Sequence, residues 1–444
     1  MIRRAMTLIE MMIALSATLL LMAAIAQVFA AFGGAISGSR AVLDLDGRMR
    51  SAAWRLRTDL AGITVRTLPA PVMTAAEGYL EIIEGPATDA ADAAGLSTSG
   101  GVVSGDPDDV LLFTTRNTEA PFIGRAPTAS GSAAALVDTF ESTVAEVAWF
   151  ARPTPGSSDP VTYTLYRRQL LVMGYVGADP FLQDNNTLGW TSWAAYFGSP
   201  CDVSVRREAS LLFPNTLADL SRRECRFMHN VAGLTTSGFP FPFVPHQTPS
   251  TSGTAELLPA AIEGLVFDAT SQRRGEDVVL TNVLGFDVRV FDPVVPVALG
   301  AGGTPLVPGD PGFAGTTAVA SGGYVDLGHG VSENDLLPAV PAHFAGSGAV
   351  GSGLQGSAST RRTYDTWSSH YEANGRDEDN DGLVDESLNG LDDDGNGLID
   401  DAGERETAHP YGFPLRGIEV RIRCYEPTSR QVRQITVRHT FVPH

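Results

Sequence analysis

The chain has 444 residues, a formal net charge of −20 and 31 basic side chains other than histidine, all of them arginine. No basic patch stands out along the sequence, so a phosphate-binding surface, and with it nucleic-acid binding, is not expected. Because lysine is absent, a lysine-bearing P-loop and Schiff-base lysine chemistry are excluded. The 47 glycines and 28 prolines predict one elaborated domain with long insertions.

The first predicted element is a membrane-spanning helix over residues 6–32. No charged side chain occurs from Met11 to Ser39, and at about 1.5 Å per residue this run can cross a hydrocarbon core of roughly 30 Å. Arg3 and Arg4 precede the run, so the positive-inside tendency places this end in the cytoplasm and the rest of the chain outside.

A single carboxylate, Glu10, lies one turn inside the apolar boundary, where a charge is costly and requires a partner. The segment Ala5-Met6-Thr7-Leu8-Ile9-Glu10, followed by the uncharged run, resembles the cleavage and methylation segment of type IV prepilins and pseudopilins. An ordinary signal anchor is the alternative.

The resemblance implies that residues 1–5 are a leader and that a prepilin peptidase cuts between Ala5 and Met6 at the inner membrane. It also implies N-methylation of Met6 and pairing of Glu10 with the N-terminal amine of a neighbouring subunit. Alanine and methionine stand where this family more often has glycine and phenylalanine.

The next predicted element is an amphipathic helix over residues 33–63. Apolar residues recur there in steps of three and four from Leu45 to Leu60, with charged residues between them. We therefore expect one helix from about Met6 to Ala61, with Gly33-Gly34 as a point of flexibility. Its apolar stripe is expected to pack under a sheet.

Further along the chain the apolar pattern changes to period two, which predicts short antiparallel strands. The predicted strands are Tyr79 to Glu84, Val110 to Arg116, Val144 to Phe150, Val161 to Leu171, Ile262 to Phe267 and Val283 to Phe291, then a hairpin of Ile418 to Tyr425 and Ile435 to Phe441 with its turn at Glu426 to Ser429. Residues 64–292 and 406–444 thus form a predicted extracytoplasmic β-rich domain. Residues 85–107, 124–135 and the Gly/Ala/Pro-rich insertion 293–373 are expected to be loop. This is an α+β, pilin-like layout, with a long N-terminal helix packed on an antiparallel sheet.

Short runs narrow the resemblance within the family. Met49 to Leu60 resembles the end of the helix in the J class of type II secretion minor pseudopilins, and W-type minor pilins share such features. Val110 to Arg116, Leu165 to Arg168 and Pro414 to Val420 resemble later strands of the J class. The resemblance implies a minor pseudopilin or pilin that assembles through its helix into a type II secretion pseudopilus or a type IV pilus-like filament and supports protein secretion. Its implied partners are other pseudopilins or pilins, the prepilin peptidase and the inner membrane.

Residues 374–405 contain a duplicated acidic loop. Oxygen ligands at loop positions 1, 3, 5 and 9, a carbonyl at 7 and a glycine at 6 are the pattern that Ca²⁺ requires. The predicted ligands are Asp377, Asp379, Asp381, the Leu383 carbonyl and Asp385 in the first copy, and Asp392, Asp394, Asn396, the Leu398 carbonyl and Asp400 in the second. The copies resemble the calcium loops of dockerins and thrombospondin type 3 repeats, although Leu388 and Gly403 replace the glutamate of position 12. We expect weak structural calcium sites; a solvated acidic linker is the alternative.

The sequence offers little for catalysis. The eight histidines are scattered, and neither H-E-x-x-H nor G-x-S-x-G occurs, so no enzyme activity and no small-molecule substrate are expected. The competing interpretation is a membrane-anchored, calcium-dependent hydrolase or binding protein that uses the acidic loops. Of the three cysteines, Cys201 and Cys225 form a disulfide in one interpretation, and all three, including Cys424, are free in the other.

Overall fold

The computed structural model describes residues 7–67, 77–83, 105–127, 137–154, 156–157, 160–173, 201–208, 211–221, 225–227, 275–313, 316–327, 363–366 and 415–442. These residues form one α-helix, α1 (Leu8–Ala61), and fourteen strands. The strands are β1 (Leu80–Ile83), β2 (Val110–Arg116), β3 (Phe122–Pro127), β4 (Val137–Ser142), β5 (Val144–Pro153), β6 (Tyr163–Leu171), β7 (Val205–Glu208), β8 (Leu211–Pro214), β9 (Val278–Leu299), β10 (Pro305–Leu306), β11 (Ala318–Val325), β12 (Thr363–Asp365), β13 (Gly417–Glu426) and β14 (Gln431–Thr440).

Helix α1 runs without a break for 54 residues, through the Gly33-Gly34 pair, so its length is about 81 Å. The large apolar side chains from Leu8 to Ile36 are 43% to 77% exposed, so no other described part of the chain covers them. Among the described residues this is the helix that is long and apolar enough to cross a membrane. The length and composition of α1 are therefore compatible with the predicted membrane anchor.

The second half of α1 packs on the sheet. Leu45, Met49, Ala53, Leu56 and Leu60, spaced by three and four residues, are buried in the same core as the central strands. The helix contacts β14, β13, β2 and β9. The predicted α+β layout of a long N-terminal helix and a large antiparallel sheet is confirmed.

The main sheet has ten strands, and all of its pairings are antiparallel. Eight strands lie in the order β12-β1-β2-β5-β6-β9-β13-β14, and β10 and β11 both pair with β9. Two small hairpins, β3-β4 and β7-β8, stand apart from this sheet. The closing hairpin appears as predicted, with its turn at residues 427–430, one residue later than expected. The predicted strand Ile262 to Phe267 lies outside the described residues.

The insertion 293–373 differs from the expectation of loop. Strand β9 continues to Leu299, and β10 and β11 fold back onto this extension, while β12 adds an edge strand beside β1. An extended strand exposes unpaired backbone groups, and the returning chain satisfies them. Strand β11 contains two glycines, two alanines and a serine, so its sequence lacks the apolar alternation that would have predicted it.

The two faces of the sheet have different partners. Side chains alternate between faces along a strand, so the paired residues Trp149 and Arg167 lie on the face covered by α1. Glu146 and Arg168 then lie on the opposite face. Potential functional groups therefore occur in two separate layers.

Candidate functional site

Helix α1 begins with a capping box that uses the predicted assembly residue. The Thr7 hydroxyl accepts a hydrogen bond from the Glu10 backbone N–H at 3.3 Å, and the Thr7 backbone N–H donates to Glu10 Oε2 at 2.8 Å. The Thr7 hydroxyl also lies 3.0 Å from the same carboxylate oxygen. Two of the otherwise unpaired N–H groups at the helix start are satisfied in this way. Glu10 therefore caps its own helix in the single chain.

The other end of α1 is joined to the sheet by a buried ion pair. Arg167 on β6 donates from Nε to Asp59 Oδ2 and from Nη2 to Asp59 Oδ1, both at 2.7 Å. The Trp149 indole N–H on β5 donates to the same Oδ2 at 3.0 Å, and Thr115 on β2 donates to the Asp59 carbonyl at 2.7 Å. We call these four residues the Asp59 centre. It connects the last turn of α1 to three neighbouring strands.

The Asp59 centre is shielded from solvent. The side chains of Asp59 and Arg167 are 3% and 5% exposed, so the pair is a desolvated, two-point contact rather than a surface salt bridge. Burial lowers the pKa of the nearby Arg55, and repulsion from Arg167 lowers it further. The Asp59 carboxylate thus supplies the negative charge that offsets both Arg55 and Arg167.

A second polar network lies on the face of the sheet away from α1. Arg226 donates to Glu81 Oε2 at 3.0 Å, and its guanidinium carbon lies 4.1 Å from the centre of the Tyr79 ring. The Tyr79 hydroxyl donates to Glu146 at 2.6 Å, and Ser204 donates to the other oxygen of Glu146 at 2.5 Å. Burial raises the pKa of Tyr79 well above its usual value, and the charge of Glu146 adds to this effect.

These groups resemble hydrolase side chains only in type. All five are at most 1% exposed, so no substrate can reach the Ser204 hydroxyl in this conformation. Their contacts instead attach the segment around Ser204 and Arg226 to β1 and β5. We interpret this network as structural.

A third cluster contains three aspartates that precede β2. Carboxylate oxygens of Asp106, Asp108 and Asp109 lie within 4.8 Å of one another, and all three side chains are buried. Burial raises the pKa of Asp109 well above its usual value, and the charges of Asp287 and Asp108 raise it further. Carboxylates are the donors that hard cations such as Ca²⁺ prefer. Burial and the neighbouring negative charges therefore both disfavour the ionised form of Asp109.

Arg289 pairs with three further aspartates, two of which raise the pKa of Asp109 by charge repulsion. It lies 2.9 Å from Asp287 and Asp326 and 2.7 Å from Asp310, and its side chain is fully buried. Burial alone would lower the pKa of Arg289, but the charges of Asp326, Asp287 and Asp310 raise it. The guanidinium therefore ties β9 to the insertion that follows it.

The three cysteines form no disulfide in the structure. Cys201, Cys225 and Cys424 are all buried, and this conformation matches the interpretation without a bond between Cys201 and Cys225. Burial raises the pKa of the Cys424 thiol to about 12. A thiol in this state is a poor nucleophile.

The predicted site residues fall into two groups. Glu10 is described and takes part in the capping box. Ala5 and Met6, together with all ten predicted calcium ligands between Asp377 and Asp400, lie outside the described residues.

Sequence reasoning missed the two buried networks and the aspartate cluster. Asp59 lies in the predicted amphipathic helix and Arg167 in a predicted strand, but nothing in the sequence paired them. The Asp106-Pro107-Asp108-Asp109 run was a visible signal, because it places three carboxylates in four residues directly before a predicted strand. Comparison of the chain with protein-family models, curated proteins and solved structures found no match.

Proposed function

We propose that this protein is a minor pilin-like subunit, of the J or W type, that assembles through α1 into a type II secretion pseudopilus or a type IV pilus-like filament. The observation that carries the proposal is the difference between the two halves of one continuous helix, α1. Its first half exposes apolar side chains along its length, and its second half is buried against the sheet and ion-paired at Asp59. A subunit built in this way presents a rigid apolar rod on which a globular domain is mounted.

The proposed mechanism is assembly rather than turnover. Apolar side chains from Leu8 to Ile36 lie in the inner membrane before assembly and pack against the helices of other pilins or pseudopilins afterwards. The domain then occupies the extracytoplasmic side and restricts where in the filament the subunit fits. Protein secretion would be supported by this filament.

Processing is part of the proposal. A prepilin peptidase would cut between Ala5 and Met6, which leaves Thr7 second and Glu10 fifth in the mature chain. The mass of the mature N-terminal peptide tests this step. An N-methylated Met6 is expected, whereas a retained leader or a cut after residue 20 would contradict the prepilin interpretation.

Glu10 has two roles in this proposal, and two variants separate them. In the single chain its carboxylate caps α1, and in the filament it would pair with the N-terminal amine of a neighbour. Glu10→Gln keeps a hydrogen-bond acceptor for the cap but removes the charge. Thr7→Ala is the matched variant, because it removes the cap hydroxyl and keeps the carboxylate.

The assay is co-purification of other pilin-like subunits with the full chain from detergent-solubilised membranes. We expect Glu10→Gln to enter the membrane normally but to lose at least about tenfold of the recovered partner, since it loses a charge pair in a medium of low dielectric constant. Thr7→Ala should recover nearly normal amounts. Equal losses in both variants would show that Glu10 acts only as a helix cap, and normal recovery with Glu10→Gln would refute the assembly contact.

We also propose that the duplicated loops of residues 374–405 bind Ca²⁺ as structural sites. The support is the repeated spacing of oxygen ligands around a glycine, which the sequence contains twice in register. Saturated oxygen ligation would leave no open position for a reacting water, so these sites would stabilise the domain rather than catalyse.

A further inference from the structure

The corner of the domain nearest the membrane helix is formed by the β13-β14 turn. This turn, Pro427–Arg430, lies against α1, because a Cβ placed on Gly38 would be 3.7 Å from the Cβ of Ser429. Gly38 is the last residue but one of the uncharged run, which ends at Ser39. The tip of the hairpin therefore lies at the level where the uncharged run ends.

The length of that run places the tip relative to a bilayer. The run from Met11 to Ser39 is about 43 Å long in helical form. A bilayer including its headgroups is about 40–45 Å thick. Arg40, the first charged residue after the run, and the β13-β14 turn thus lie at the outer headgroup layer.

Two exposed arginines, Arg40 and Arg430, lie at this level. Arg40 and Arg430 are exposed, and within the described part of the chain neither has an ion-pair partner. Arg430 also adopts a φ of 53° at the end of the turn, a backbone conformation that arginine rarely takes. Arg430 is thus the last residue of the turn and directly precedes β14.

Two more arginines lie farther from the membrane, and each lies beside an acidic partner. Arg48 pairs with Asp44 at 2.9 Å, and Arg433 lies 4.0 Å from Asp46. Burial alone would raise the pKa of Glu426, the remaining nearby acid, but the hydrogen bonds it accepts from Ser429 and Thr428 lower it, so this carboxylate stays charged. Asp44, Asp46 and Glu426 therefore leave the four arginines an excess of one positive charge. We call Arg40, Arg48, Arg430 and Arg433 the basic corner.

We propose that the basic corner docks the domain onto anionic phospholipid headgroups at the extracytoplasmic surface of the membrane. The inference rests on the membrane anchor of the proposed function. Its argument is charge complementarity: a chain of net charge −20 is repelled by an anionic surface, and this corner, which lies nearest that surface, has the opposite sign. Arg40 and the turn that ends at Arg430 lie within about one Debye length, roughly 8 Å at physiological ionic strength, of the headgroup layer, whereas Arg48 lies about 12 Å farther along α1.

Hydrogen exchange of the full chain in lipid nanodiscs, with one chain per disc, tests the proposal. The discs contain either neutral phosphatidylcholine alone or phosphatidylcholine with 30% phosphatidylglycerol. Since each surface arginine strengthens association with an anionic layer about fivefold, we expect amides of residues 428–433 to exchange at least about fivefold more slowly in the anionic discs. The difference should disappear in 0.5 M salt.

The variant Arg40→Gln/Arg430→Asn should exchange at the neutral-disc rate in both lipids. Asparagine is chosen for position 430 because it tolerates a positive φ. Arg116→Gln is the matched control, because Arg116 is exposed but lies at the far end of α1, where its N–H donates to the Gly62 carbonyl. This control should keep the lipid dependence of the unmodified chain.

The other outcomes are distinguishable. Equal exchange rates in the two lipids would overturn the headgroup contact. Protection that appears in neutral discs only with two chains per disc would also overturn it, because the basic corner would then contact a second copy of the chain. Protection by inorganic phosphate in neutral discs would also overturn it, because the ligand would then be phosphate in general. A chain that enters neither kind of disc would refute the membrane anchor of the proposed function, and with it this contact.

Discussion

Asp59→Ala is expected to release the end of α1 from the sheet. The substitution removes the acceptor of three side-chain hydrogen bonds, two from Arg167 and one from the Trp149 indole. Arg167 keeps one side-chain acceptor, Gln169 Oε1 at 2.9 Å, but loses its counter-charge. Arg55 and Arg167 then repel each other without the carboxylate between them.

The magnitude follows from the burial of the pair. Removing one partner of a buried ion pair costs about 3–5 kcal/mol, because the other charge stays buried. The Trp149 indole N–H also loses its acceptor, and a buried unsatisfied donor costs about 1–3 kcal/mol. The two costs overlap, so they are not added. We therefore expect the free energy of unfolding to fall by about 4 kcal/mol. This would lower the Tm of a domain of about 150–250 residues by roughly 8–16 °C, and the larger domain of this chain by less.

Urea unfolding of the full chain in detergent micelles, followed by intrinsic fluorescence, measures this change. Asp44→Ala is the matched control, because Asp44 pairs with Arg48 on the same helix but both side chains are at least 65% exposed. This control should change the free energy of unfolding by no more than about 0.5 kcal/mol. If Asp59→Ala costs no more than the control, the Asp59 centre does not anchor the helix and the reasoning is refuted.

Two further predictions concern the acidic loops and a buried thiol. Adding 2 mM Ca²⁺ should raise the Tm of the full chain by about 3 °C or more over a chelated sample, because a ligand at ten times its Kd stabilises the folded state by about 1.4 kcal/mol per site. The double variant Asp379→Asn/Asp394→Asn should not show this shift. An equal shift with Mg²⁺ would exclude a calcium-selective site. The pKa of Cys424 rises on folding from 9.0 to about 12, so the unfolded chain loses this proton first and the stability falls as the pH rises from 9 toward 12. Cys424→Ala should therefore unfold with a smaller pH dependence between pH 9 and 11, and an unchanged slope would contradict the burial argument.

The helix and the central strands could be predicted because their patterns are local. Apolar steps of three and four located the buried face of α1, and Val110 to Arg116 was predicted with the bounds it has in the structure. Strand β11 could not be predicted, because its formation depends on the unpaired edge of the extended β9 rather than on its own sequence. Propensity is a weak guide where a neighbouring strand supplies the hydrogen bonds.

The chemistry of the candidate sites depended on residues distant in sequence. Asp59 and Arg167 are 108 residues apart, and only the register of β5 with β6 beside the helix end brings them together. The basic corner was hidden for the same reason: Arg40 and Arg430 belong to opposite ends of the chain, so no basic patch stood out along the sequence. The Asp106 run was local, but nothing indicated that it would be buried beside β9.

The Asp59 centre has a consequence for the position of the helix as well as for stability. Apolar contacts between α1 and the sheet tolerate small displacements along the helix axis, whereas a bidentate arginine pair, an indole donor and the Thr115 bond are satisfied in one register only. Replacing the pair by Asp59→Leu/Arg167→Met should restore most of the stability lost in Asp59→Ala, because apolar residues often match a buried ion pair in stability. If the pair specifies register, amides of residues 42–61 in this double variant will still exchange faster than in the unmodified chain despite the recovered Tm. Protection equal to that of the unmodified chain would instead show that apolar packing alone positions α1 on the sheet.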